Sequence, residues 1–322
     1  MRYVLVGSVE SSALALEEMV AAGLDLAAVV TLRSHLAHRH SDFVDLEPLA
    51  KSAKVPVRQV KRLNDAEELA WLKMVAPDYL CVIGWSELLG RDLLQIPTHG
   101  CIGFHPSLLP QFRGRAVLAW TILQGLRRSG CSLFFLDEGV DSGDILVQHP
   151  FEVAEDETVR TLMDKALAAL REMLREAIPL LESGQPRRQP QNHIQASYCA
   201  RRTPRDGVIN WMDAAEAIWR QIRALSRPYP GAFTHRRGRR LTVWEANYVG
   251  KAAYVGLPGQ IQAVASDGVI VQCGDGEHLC LRVVEPEQQG PQPASDCLTI
   301  THERLGLDWL NLYEELRERM ET

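Results

Sequence analysis

The chain has 322 residues, 46% hydrophobic and 24% charged, with a formal net charge of −6. That length suits two domains of an ordinary soluble globular protein, and no apolar run approaches the ~20 residues that cross a bilayer. The acidic balance advertises no large nucleic-acid footprint at the level of the whole chain.

Taken in chain order, MRYVLVGSVES reads as a buried first strand and a turn. It has no charged n-region, long h-region or small-residue cleavage site, so a cytoplasmic location is expected. Tyr3–Gly7 is a short apolar run, and Ser11–Ala22 repeats apolar residues at helical spacing (Leu14, Leu16, Met19, Val20). Leu26–Leu32 predicts a strand, Glu47–Ala53 a short helix, Val55–Val57 a third strand, Glu67–Val75 a helix and Tyr79–Gly84 a strongly buried strand. Continuous apolar strands separated by helices imply a parallel sheet covered on both faces, with right-handed crossovers. Ligands of such Rossmann-like α/β sheets bind outside the carboxyl ends of the strands, where Gly7-Ser8, Gly84-Trp85-Ser86 and the loop carrying His105 all fall.

Cys131–Leu136 predicts another strand and Glu157–Leu181 a long amphipathic helix. The polar, two-proline stretch Ser183–Asn192 marks an interdomain linker. Ala214–Leu225 then reads as a helix and Arg227-Pro228-Tyr229-Pro230-Gly231 as a rigid turn. Short β-like runs at Leu241–Trp244, Gly259–Ile261, Gly268–Cys273 and Leu279–Val284 suggest a small β-barrel. The tail Thr301–Met320 reads as an amphipathic helix whose leucines (Leu305, Leu307, Leu310, Leu312, Leu316) offer a homodimer contact. The expected division is therefore a domain at 1–182, a linker at 183–204, a barrel-like domain at 205–300 and a helix at 301–322.

Seven cysteines without a CxxC read as reduced core residues rather than a disulfide framework or zinc site. His35, His38, His40 and Asp42 fall on a loop after a strand, with no second ligand group at matching spacing, so no metal is expected. His235-Arg236-Arg237-Gly238-Arg239-Arg240 reads as a hairpin turn centred on Gly238, with nucleic-acid contact a weak second reading.

Two stretches carry the chemistry. His105-Pro106-Ser107-Leu108-Leu109-Pro110 precedes Arg113-Gly114-Arg115, which places a histidine on a loop that opens a helix. Its proline neighbour restricts the backbone, and an imidazole titrating near neutrality can shuttle a proton. About thirty residues later, Asp137-Glu138-Gly139-Val140-Asp141-Ser142-Gly143-Asp144 presents Asp141 between two glycines that permit a tight reversal near a ligand. A plain surface turn would look similar, but buried strands on both sides hold this loop rigidly.

The pairing of HPSLLP-x-x-RGR with DEGVDSGDIL resembles the formyltransferase family that uses 10-formyltetrahydrofolate. Arg201-Arg202-Thr203-Pro204, Ile209-Asn210-Trp211, Arg223–Phe233 and Leu241–Trp244 extend the resemblance over roughly residues 1–285, towards the sugar-nucleotide N-formyltransferases. It implies an Asn-His-Asp triad in which His105 polarises the formyl oxygen and helps remove the amine proton, while Asp141 orients His105. Gly103 stands at the triad's asparagine position. Loss of one oxyanion donor costs about 10²–10³ in rate.

The resemblance also implies a folate site at Gly84, Trp85, Ser86 and Leu88 and at Leu136, Asp137, Glu138, Gly139 and Val140, largely through backbone groups. Ser8 reads as a helix cap at the rim of the substrate cleft, with Ser107, Gly114 and Tyr229 on the substrate side. Arg113, Arg115, Arg201 and Arg202 suit a phosphate or pyrophosphate, which guanidinium groups bind bidentately. The first expectation is accordingly formyl transfer to a nucleotide-linked amino sugar. A methionyl-tRNA formyltransferase is the second, opposed by residues 205–322, where 13 basic against 16 acidic residues leave −3. A 10-formyltetrahydrofolate hydrolase, motivated by Gly103, and a non-catalytic binding module are the remaining readings.

Overall fold

Valine- and leucine-rich strands alternating with helices build a seven-stranded sheet. In chain order its surroundings are β1 (Arg2–Val6), α1 (Glu10–Ala21), β2 (Asp25–Leu32), α2 (Glu47–Ser52), β3 (Val57–Val60), α3 (Ala66–Val75), β4 (Tyr79–Val82), α4 (Arg91–Leu94) and β5 (Gly100–His105). There follow β6 (Arg113–Gly114), α5 (Val117–Leu123), β7 (Arg128–Phe135), β8 (Ile145–Glu152), α6 (Val159–Glu182) and β9 (Tyr198–Cys199). The computed structural model describes residues 1–39 and 41–307, together with Tyr313, Arg317 and Met320. The chain divides into two units: Met1–Leu118 with Leu126–Glu155 and Thr161–Arg201, and Ala119–Gly125 with Asp156–Arg160 and the residues from Arg202 onward.

The first unit's sheet runs β3-β2-β1-β4-β5-β7-β8. Its first five strands are parallel, as the unbroken apolar runs predict, and Val4, Val6, Val30, Val60, Leu80 and Val82 pack with Leu63, Leu72 and Leu93 in one core cluster. β7 and β8 are antiparallel, so the sheet is mixed. β3 begins at Val57, two residues later than the sequence suggests. β5 itself is not evident from sequence, because Gly100 and Gly103 dilute its β-propensity. Neighbouring β4 and β7 impose the extended backbone, and His105 becomes the last residue of a strand rather than part of a helix-opening loop.

The polar stretch read as a linker is built into this unit. Gln189 exchanges backbone hydrogen bonds with Ile145 at 2.8 and 2.9 Å, and β9 pairs in parallel with β6.

The second unit contains α7 (Ala215–Leu225), β10 (Ala232–Arg236), β11 (Arg239–Gly250), β12 (Ile261–Ala265), β13 (Gly268–Gln272), β14 (His278–Pro286), β15 (Gln292–Pro293) and α8 (Ala294–Cys297). Its antiparallel sheet follows the order β10-β11-β14-β13-β12, with β15 on β14 and register shifts that bend β11. The expected hairpin is present: Arg237 and Gly238 both have positive φ (50° and 74°), the requirement of a two-residue turn matching strand twist. α7 buries Ala215, Ile218, Ile222 and Leu225 at helical spacing.

The tail departs from expectation. Thr301–Leu307 is not helical: the Ile261 amide donates to the Glu303 carbonyl, the His302 amide to the Ile261 carbonyl and the Leu305 amide to the Gly259 carbonyl, and Leu305 is buried in this stretch. Backbone pairing along β12 outcompetes the weak local helix signal there. Leu310, Leu312 and Leu316 lie outside the described residues, as does His40. Among the described residues no helix is long and apolar enough to cross a membrane.

Glu303 accepts from Arg236 Nη2 and Arg237 Nε, both at 2.8 Å. Burial raises its carboxyl, but the two guanidinium groups outweigh this and hold it below the usual glutamate range. A depressed folded pKa stabilises the fold above the unfolded value, and that contribution is lost as pH falls through the folded one. Glu303→Gln is therefore expected to cost about 1–3 kcal/mol at pH 7 and to flatten the acid side of the stability curve, both read by urea unfolding across pH.

Candidate active site

β5 ends on His105, and three loops of the first unit meet around it. His105 is 5% exposed. Its Nε2 donates to the Phe112 carbonyl at 2.8 Å, since a carbonyl can only accept. Its Nδ1 lies 3.5 Å from Asp141 Oδ2. With Nε2 turned to Phe112, Nδ1 is the ring nitrogen that faces the Asp141 carboxylate, a geometry suited to passing a proton between the two groups.

Asp141 reaches this place although β7 runs against β5. The Leu136 amide donates to Cys101, the loop turns back, and the Phe135 amide donates to Asp144 at 2.8 Å. Asp141 adopts a left-handed backbone (φ 49°), which aspartate tolerates better than most residues. Its carboxylate accepts the Gly114 amide at 2.8 Å. Asp137 closes the turn by accepting from the Gly139 amide and the Ser142 hydroxyl. At Gly143 any Cβ would collide with the Phe135 carbonyl oxygen.

Gly103 faces the side chains of Leu136 and Phe134. A Cβ there would lie 2.6 Å from Leu136 Cδ2 and 2.9 Å from Phe134 Cε1, so the room for an asparagine is already filled. Gly103→Asn alone is expected to destabilise by about 1–3 kcal/mol through overpacking, with no gain in formyl transfer. Adding Leu136→Ala should recover only part of the lost stability, because the contact with Phe134 Cε1 remains. Thermal unfolding and a formyl-transfer assay of the single and double variants check both points.

The remaining predicted residues separate clearly. Arg113 is 2% exposed and turned inward, bonded to Gln191, Tyr198 and His193, which leaves it no free face for a phosphate. Ser107 is buried, its hydroxyl spent on the Gln111 carbonyl. Arg115 is exposed and donates to the Ser86 carbonyl, tying the His105 and Gly84 loops together. Glu138 is exposed and paired with Arg91. Ser8 is buried with its hydroxyl unpartnered among the described residues. Arg201 is exposed, whereas Arg202 and Tyr229 belong to the second unit, where Arg202 stacks on Trp120 and donates to the Asp206 carbonyl.

On the loop after β4, Gly84 has φ 73°, and the Trp85 Nε1 is buried without a partner among the described residues. An orphaned donor of this kind fits an acceptor atom on a bound ligand. Leu88 and Val140 expose apolar surface at 66% and 41% on the two loops assigned to folate. Burial pushes the Cys101 thiol up to about 12 and the thiol of Cys199, beside Gly114, up to about 11, which favours the protonated form of both. Sequence reading missed Gln191 and the Phe112 carbonyl. A lone glutamine in a polar stretch carries no spacing signal, and backbone groups carry none at all.

Residues 5–178 match the formyl transferase family and residues 201–301 the formyl transferase C-terminal domain. Methionyl-tRNA formyltransferase of Anaeromyxobacter dehalogenans is 36% identical over 299 residues, covering 92% of this chain and 96% of that protein. The methionyl-tRNA formyltransferase of Syntrophus aciditrophicus is 33% identical, covering 91% and 93%. An N-formyltransferase from Helicobacter canadensis, solved with folinic acid and dTDP-3-aminofucose, superposes with a TM-score of 0.65 at 18% identity, covering 87% and 98%. The expected nucleotide-sugar acceptor is therefore corrected. Similarity at 31–36% identity along the chain runs to methionyl-tRNA enzymes, while the sugar enzyme shares the fold alone.

Proposed function

This chain belongs to the formyl transferase family, and from that premise we propose that it carries the formyl group of 10-formyltetrahydrofolate to the amine of methionyl-tRNA. The observation that carries this reading is the collinear similarity to methionyl-tRNA formyltransferases across both domains. Net charge ranks acceptors poorly, because it averages the whole surface whereas phosphate contacts depend on a local patch. The −3 balance of residues 205–322 thus argues less against tRNA than the sequence alone suggests.

In this proposal the first unit, including the stretch 183–201 that the sequence reads as a linker, does the chemistry, and the residues from Arg202 onward belong to the second domain. Transfer between two amines moves one proton from the acceptor nitrogen to the donor nitrogen. His105 and Asp141 hold that proton at Nδ1 and Oδ2. Gly84, Trp85, Ser86 and Leu88, with the Leu136–Val140 segment, receive the formyl donor, and the Trp85 indole supplies an unspent hydrogen-bond donor.

Tetrahydrofolate release from 10-formyltetrahydrofolate tests the reading, followed with methionyl-tRNA, with UDP- and dTDP-linked amino sugars, and with no acceptor. Release is expected with methionyl-tRNA only, falling steeply with salt. Equal release without acceptor would identify a hydrolase and sink the proposal.

A further inference from the structure

The stretch between α6 and the second domain contains a buried amide with four hydrogen bonds. Gln191 is 6% exposed. Its Oε1 accepts from Arg113 Nη2 at 2.6 Å and Nε at 3.2 Å. Its Nε2 donates to the carbonyls of Asp141 at 2.9 Å and Gly143 at 2.6 Å. Arginine has donors only, so Oε1 must face it and Nε2 is forced onto the two carbonyls. These carbonyls bracket the left-handed turn that presents the Asp141 carboxylate to His105.

Arg113 sits at the centre of the same arrangement. Its backbone neighbours supply the two anchors of the pair: the Phe112 carbonyl takes His105 Nε2, and the Gly114 amide holds Asp141 Oδ2. Phe112, Gly114 and Ala116 all have positive φ (57°, 101° and 56°), a contour that needs outside support. That support comes from Ser197, whose hydroxyl and carbonyl receive the amides of Phe112 and Arg113 at 2.9 and 2.8 Å, and from the Arg113 side chain. The Arg113 side-chain donors go to neutral acceptors, Gln191, Tyr198 and His193. A guanidinium desolvated onto neutral groups is costly, so its presence here calls for a task beyond packing.

We infer that Gln191, oriented by Arg113, is a positioning residue for formyl transfer, locking the Asp141 loop against His105. The inference rests on His105 and Asp141 being the reacting pair. Without the Gln191 donors the Asp141 and Gly143 carbonyls lose their partner, the turn relaxes, and the carboxylate moves off Nδ1. A displacement of about 1 Å at a reacting group costs about 10²-fold.

Gln191→Glu tests this in the full chain. It keeps the volume and gives Arg113 a carboxylate partner, while replacing both donors by oxygens that repel the carbonyls. The expected result is an unfolding temperature no lower than wild type and a kcat lower by about 10²-fold, with KM for donor and acceptor within about threefold. Gln191→Met, apolar and of similar length, should show the same kcat loss. Wild-type kcat in either folded variant, or a loss confined to KM, would overturn the inference. Asp141→Asn, assayed alongside, separates the two levels. If it is inactive while the Gln191 variants are active, the positioning role fails and the reacting pair stands. If it is active, the pair itself is wrong.

Discussion

His105→Ala and Asp141→Asn should each lower kcat for formyl transfer by about 10³–10⁴-fold, the upper range for a positioned acid/base group. The second substitution is the more telling. Asparagine tolerates the left-handed backbone that Asp141 occupies (φ 49°) and still accepts the Gly114 amide through its side-chain oxygen. The loop therefore stays in place while the negative charge facing Nδ1 is lost. Unfolding temperature should hold for Asp141→Asn and drop only modestly for His105→Ala, whose ring also donates to Phe112. If the two residues act as one unit, as proposed, the double variant should be no slower than the slower single variant. Single-turnover formyl transfer reads all three. Additive losses would show that the residues act separately.

Gly114→Ala carries the second large effect, on stability and activity together. Its φ of 101° is open to glycine and strained for alanine, and the added Cβ would lie 2.5 Å from the Cys199 carbonyl oxygen. That oxygen is backbone in the paired strand, so β6 and β9 must separate to make room. The Gly114 amide then leaves Asp141 Oδ2. The expected outcome is a loss of about 2–4 kcal/mol in urea unfolding and a kcat fall of about 10²-fold in the fraction that remains folded. Arg115→Ala is the contrast, because its exposed side chain ties only the Ser86 loop, and its stability should stay within about 0.5 kcal/mol of wild type.

How much of this was legible in the chain varies by element. Buried parallel strands announce themselves as continuous apolar runs, so β1, β2 and β4 were evident. Arg237-Gly238 was readable because few residue pairs accept two positive φ values in succession. β5 is hidden by its glycines, so the sequence places His105 on a loop although it ends a strand. The polar residues 183–192 look like a tether in composition, yet their backbone joins the first unit and Gln191 enters its interior. The tail around Leu305 carries helical spacing but pairs along β12. Hydrophobic pattern reports which residues become buried. It does not report which partner buries them.

By itself the chain determined the fold class and the formyl-transfer chemistry, and it pointed to His105 and Asp141 as the proposed reacting pair, because these depend on local residue type and short motifs. Only the tertiary structure decided what Arg113 does, whether an asparagine has room at Gly103, and what holds Asp141 against His105. Those outcomes depend on groups 27 to 85 residues apart in sequence, such as Gly114 with Asp141 and Arg113 with Tyr198. Many are backbone N–H and C=O groups that every residue carries alike, so nothing in the sequence marks the ones that matter until folding places them within 3 Å of one another.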